Sequence, residues 1–178
     1  MPDTTKPKKK GYSPLRGRHP VYSLVGEIAS EFSRIEHMLD VTIWRMAGLS
    51  AQIGSSITAQ LMGIRPRCLS ILALANNIGL PEEIRKEVRQ FMNDSFKPSE
   101  ERNRLVHDSW YIHKKSGETA QLRSMPKEQL LYGHAPVSEA DCQKVLKLIH
   151  GFAKRTDTLK GHVLAALAAT QSSEDTQL

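Results

Sequence analysis

Within one short stretch, Arg102-Asn103-Arg104-Leu105-Val106-His107 sets a permanent cation, an amide and an imidazole side by side. Those groups suit work on a phosphodiester. An imidazole exchanges protons near neutral pH, so His107 can take one from a ribose 2′-hydroxyl or give one to a leaving oxygen. A guanidinium is always charged and can hold two phosphate oxygens while negative charge grows in a transition state. Asn103 can orient the phosphate or the imidazole through its amide. On a helix Asn103 and His107, four residues apart, share a face; Arg102 sits about 140° round from His107 and depends on the reach of its side chain. A plain structural role fits the same residues. His107 can close a helix, where a cation favours the dipole, and Arg102 can pair with Glu101 or Asp108 on a solvated face. Leu105 and Val106 are core residues on either account.

Spacing alone discriminates little. With twelve arginines and seven histidines in 178 residues, roughly one Arg–His pair with four to six residues between arises by chance. The chain holds such a second pair in Arg155 and His162. Arg102–His107 differs in the Asn after its Arg, the two apolar residues before its His and the aromatic just beyond. Other enzyme signatures are missing from the sequence: no glycine-rich phosphate loop, no paired-cysteine metal spacing, no HExxH and no nucleophile elbow. His37, His134 and His150 stand alone and are expected as surface or packing residues, while His107 and His113 are too scattered from other ligands to suggest zinc. Neither metal nor cofactor is expected.

The elements that must position this run are helical. Val21, Val25, Ile28, Phe32, Ile35, Leu39, Ile43 and Met46 recur at steps of three and four, with Glu27, Glu31, Arg34 and Asp40 mostly on other faces. The pattern predicts a helix of roughly 25 residues ending near Gly48. Glycine and serine break it through residues 50–56, and a short helical piece is expected over 57–62. Pro66 is placed to open a helix carrying Leu69, Leu72 and Ile78, closed by residues 76–79. Pro81 at a first helical position, with Glu82 and Glu83 at the positive end of the dipole, starts another, lined by Ile84, Val88, Phe91 and Ser95.

Pro98 disfavours helical geometry at Lys97, so a kink or restart is expected there, with Ser99 capping the turn that carries Arg102 to His107. Trp110-Tyr111-Ile112-His113 reads as a strand, 115–118 as a turn and 119–123 as a returning strand. Trp110 and Tyr111 either stack on bases or pack the hairpin against the helices. Ser138-Glu139-Ala140-Asp141 is similar to a capping box with Asp in place of Glu or Gln, and opens a long helix with Val145, Ile149, Phe152, Leu159, Val163 and Leu167. The expected fold class is all-α: an up-and-down helical bundle of about four or five helices with a small hairpin or loop insertion after His107.

At 178 residues and 19.9 kDa, with 39% apolar and 25% charged residues, the chain is one globular domain with enough side chains for a core. Three parts are expected: a flexible basic leader over residues 1–19, a helical domain over 20–170 and a polar tail over 171–178. No apolar run approaches the roughly 20 residues of a membrane span, and no apolar block follows the N-terminal charges, so neither a membrane partner nor secretion is expected. Cys68 and Cys142 form no cluster and fit a reducing, cytoplasmic location.

The net charge of +6 is uneven. In residues 1–18, Lys6, Lys8, Lys9, Lys10, Arg16 and Arg18 oppose Asp3 alone, six against one, which leaves +1 for the remainder. Two readings of the leader stand: a polyelectrolyte arm, with Lys8, Lys9 and Lys10 as RNA phosphate contacts, or a solubilising tail. No helix-turn-helix with a basic recognition face supports a DNA-binding regulator.

Across residues 101–110, the Arg, Asn, short spacer and His at a helix end resemble the R-x4-6-H motif of the HEPN superfamily. More weakly the resemblance extends to the long first helix, with Glu36 in SRIEHML, and to the long closing helix. It implies a helical homodimer in which two such motifs meet across the interface and cut RNA without a metal, leaving a 2′,3′-cyclic phosphate. It implies His107 as general acid/base, Arg102 as phosphate clamp, Asn103 as orienting residue and Arg104 as a further phosphate contact. Toxin, phage-defence and RNA-processing roles, with an antitoxin or other regulatory protein as partner, fall within the family; so do catalytically silent scaffolds. In members neutralised by nucleotidylation a Tyr lies two positions after the His. Here that position is Ser109, with Tyr111 two further on, which departs from that scheme.

Overall fold

The computed structural model describes residues 11–125 and 131–175. In chain order the elements are β1 (Tyr12–Pro14), α1 (Pro20–Met46), α2 (Ala51–Thr58), α3 (Ile64–Ile78), α4 (Glu82–Asp94), α5 (Phe96–His107), β2 (Trp110–His113), β3 (Thr119–Met125), β4 (Leu131–Pro136) and α6 (Glu139–Asp175). The chain is mostly helical, but it is not all-α: the hairpin expected after His107 is the centre of a four-stranded antiparallel sheet, ordered β1-β2-β3-β4. Trp110 pairs with Gln121 and Ile112 with Thr119, while Tyr12 and His113 face each other at the β1 edge. The leader was expected to be flexible through residue 19. From Tyr12 on it belongs to the fold, because Tyr12–Pro14 meets β2 and Leu15 is buried. Lys8, Lys9 and Lys10 lie outside the described residues.

α1 and α6 form the spine, joined by α3, α4 and α5. Ile28, Ile35 and Leu39 of α1, Ile71 of α3, Val88 of α4, and Ile149, Leu159 and Val163 of α6 are fully buried. Each such side chain contributes about 1.5–3 kcal/mol through burial, so the apolar stripes read from the sequence carry the architecture. α6 starts as predicted: the Ser138 hydroxyl and backbone N–H both donate to Asp141 Oδ2, and the Asp141 N–H donates to the Ser138 hydroxyl. It continues through Asp175, so residues 171–175 are helix rather than tail.

Four local expectations are corrected. Residues 51–58 are helical instead of broken, because Ser50 caps the turn by accepting from the Ile53 N–H, and Gly54 lets Trp44 lie directly on α2. A Cβ at Gly54 would stand 2.4 Å from the Trp44 ring, whose indole N–H donates to Thr58 Oγ1. α3 starts at Ile64, two residues before Pro66, which occupies its first turn; Gly79 ends it in the left-handed region. Pro81 caps α4 from outside instead of forming its first residue. Finally, α5 begins at Phe96, with Ser95 as the shared cap of α4 and α5. Pro98 falls in the first turn, where its missing N–H would have had no helical partner. Ser99, expected as the cap, instead donates from inside the helix to the Ser95 carbonyl.

Candidate active site

α5 carries the Arg–Asn–His run along its last turns and ends on His107. Two side chains of the sheet hold that end. The Trp110 indole N–H donates to the Leu105 carbonyl, and the Gln121 amide donates to the carbonyls of Arg104 and Leu105. Gln121 is fully buried and Trp110 nearly so, which puts Trp110 in packing and not on an exposed stacking face. The Arg104 carbonyl also accepts from the Asp108 N–H, and the turn bearing His107 is thereby fixed against β2 and β3.

Arg102 bends back across the helix. Its Nη1 lies 3.1 Å from His107 Nε2 and donates to Asn103 Oδ1 at 3.0 Å. A guanidinium has donors only, so in this contact Nε2 of His107 is the acceptor and its proton sits on Nδ1. The Arg102 Cζ stands 5.3 Å from the Phe32 ring centre on α1, a cation–π contact that orients the guanidinium plane. Nε of Arg102 is buried without a hydrogen-bond partner. Among the described residues no carboxylate lies in ion-pair range of Arg102: Glu101 reaches toward Arg104, and Asp108 lies 3.9 Å from Arg123. The expected ion pair of Arg102 with Glu101 or Asp108 is therefore absent.

The three residues open into a cleft of about 620 Å³ that also takes in Phe32 and Glu36 from α1 and Leu61, Met62 and Gly63 from the turn between α2 and α3. A buried arginine shapes this wall. Arg67 of α3 is buried, bonds Asp40 through Nε (2.8 Å) and Nη2 (3.1 Å), and donates from Nη1 to the carbonyls of Leu61 and Gly63 at 2.8 Å each. Glu36 stands 3.6 Å from the same guanidinium. An arginine within an apolar helical stretch was the only hint. Arg104 faces a second groove, beyond Asn103 and His107, and is engaged by Glu100 (2.5 Å) and Glu101 (3.5 Å).

Elsewhere, burial pushes the Cys68 thiol up to about 12; burial, then repulsion from Asp141 and Glu139, raises Cys142 to about 11. Both are free thiols, un-ionised near neutral pH. Among the described residues no three His, Cys, Asp or Glu side chains converge to hold a metal ion, and no helix is long and apolar enough to cross a membrane. Comparison with protein-family models, with curated proteins and with solved structures returns no match.

Proposed function

We propose that the chain is a HEPN-type, metal-independent endoribonuclease, a helical bundle acting as a homodimer on RNA. The observation that carries this reading is the 3.1 Å contact between Arg102 and His107 in an open cleft, with a guanidinium that no carboxylate among the described residues pairs with. A phosphate entering the cleft takes Nη1 of Arg102 away from the imidazole. Nε2 of His107 is then free to accept the ribose 2′-hydroxyl proton. The 2′-oxygen attacks the adjacent phosphorus, the bond to the 5′-oxygen breaks, and that oxygen leaves with a proton from an acid, the second copy's histidine. The products are a 2′,3′-cyclic phosphate and a 5′-hydroxyl. Asn103, held by Arg102, keeps the imidazole and phosphate aligned. A dimer gains support from apolar side chains left on the surface: Ile53 and Ile57 of α2 are 56% and 52% exposed, and Met62, which lines the cleft, is 82% exposed.

The same apolar side chains favour a second reading, a non-catalytic helical dimerisation module. Incubating the purified chain with RNA in EDTA separates the two. Cleavage to cyclic-phosphate ends that falls by about 10²- to 10⁴-fold in His107→Ala supports the nuclease. Cleavage that survives the substitution removes it, and so does absence of cutting by the unaltered chain on every RNA tried.

A further inference from the structure

Phe96, the first residue of α5, is 73% exposed, the most exposed aromatic among the described large apolar side chains. It lies on the stripe of α5 that carries Asn103 and His107: eleven residues and about 16 Å along the axis separate it from His107, with only about 20° of rotation. Phe96 also borders two grooves. One runs along α5 past Asn103 to His107. The other passes between α5 and α6, where Lys97 and Lys147 line it together with Arg155. Arg155 is taken by Asp94, but Lys97 and Lys147 are exposed and have no ion-pair partner among the described residues. Two acidic groups line the α5 groove: Glu100 pairs with Arg104, which also reaches Glu101, and Asp108 lies 3.9 Å from Arg123.

We propose that Phe96 is a base-stacking platform, and Lys97 and Lys147 the phosphate contacts, for single-stranded RNA nucleotides flanking the bond at His107. An aromatic face accepts any base, and two ammonium groups in the α5–α6 groove beside it attract backbone phosphate, so that groove matches single-stranded nucleic acid in charge, and Phe96 joins it to the α5 groove that reaches His107. The span from Phe96 to His107 suits a few extended nucleotides. The inference rests on the nuclease reading for where the strand is cut, but not for whether it binds.

Binding is therefore measured without cutting, in full-length His107→Ala, with a fluorescein-labelled oligouridine of about eight nucleotides. Phe96→Ala in that background is expected to weaken binding roughly 5- to 100-fold, and Phe96→Trp to restore it, with indole emission quenched by the stacked base. Lys97→Gln with Lys147→Gln should make the salt dependence shallower by about 1.4 in log–log slope. Thermal melting of each variant checks folding. Binding indifferent to Phe96 and to both lysines overturns the proposal, as does failure of the His107→Ala chain to bind the probe. Sedimentation showing that Phe96→Ala splits a dimer while RNA binding is unchanged assigns the surface to a second copy and overturns it too. Cutting by the natural chain that ignores Phe96 sinks this inference alone; Phe96-dependent binding with no cutting sinks the nuclease reading alone.

Discussion

Arg102–His107 and Arg155–His162 satisfy the same spacing rule and meet opposite fates. In the first pair the two side chains face each other, and no described carboxylate reaches the guanidinium. In the second, each residue is taken by an acid of α4: Arg155 by Asp94 at 2.5 Å and His162 by Glu87 at 3.0 Å. A phosphate approaching Arg155 must displace a carboxylate, whereas one approaching Arg102 replaces contacts to the Asn103 amide oxygen and the His107 ring nitrogen. The cation most useful to a phosphoryl site is the one the fold leaves unmatched. α6 uses its pair to clamp two helices together; α5 ends on its pair and presents it to a cleft.

The contrast is broken most decisively at the histidines. His107→Ala should lower RNA cleavage by about 10²- to 10⁴-fold, while His162→Ala should leave the rate within about 2-fold, both measured in one gel assay. If His162 proves the essential one, the assignment moves to the other pair. Arginine comes next. Arg102→Lys keeps the charge but loses the planar fork and the contact over Phe32, so kcat should fall about 10²- to 10³-fold, whereas Arg155→Lys should change it little. Gln121→Ala sharpens the comparison from the scaffold side. It deprives the carbonyls at the end of α5 of a buried donor and should cost about 1–3 kcal/mol in denaturant unfolding, with a loss in kcat that Arg155→Ala does not share.

The smallest effect belongs to the α4 clamp. Hydrogen bonding from Arg155 outweighs the opposing cost of desolvation and, with its charge and the Gln90 amide, holds the half-buried Asp94 carboxyl below its ordinary 3.8. A depressed carboxylate stabilises the fold in full above its unfolded value and loses that contribution as pH falls through the lower folded one. Asp94→Asn should therefore unfold slightly more easily at neutral pH, and the gap from the parent should close on acidification below 3.8. A gap that widened there would refute the ion pair as its source.

Much of this molecule was legible along the chain. The buried stripes of α1 and α6 repeat at helical period, and Ser138 with Asp141 announces a helix start, because such signals depend on neighbours within a turn or two. The three residues of the candidate site were legible for the same reason, all lying within one helix. The sheet was only half visible: β2 and β3 are adjacent in sequence, but β1 pairs with β2 across about a hundred residues, and nothing local in Tyr12–Pro14 announces a partner. α2 is hidden in the sequence because Gly54 and its serines look like punctuation, whereas in the fold Trp44 needs a surface without a Cβ.

The amino-acid order, then, determined where helices run, which faces they bury and which turn joins an arginine to a histidine, since each is settled by periodicity and short-range hydrogen bonding. Tertiary structure alone decided which arginine keeps its charge available. Counter-charges arrive from afar: Asp94 meets Arg155 across 61 residues, Glu87 meets His162 across 75, and Asp40 meets Arg67 across 27. Coulombic pairing acts through space and not along the chain, so only folding could separate a site from its double.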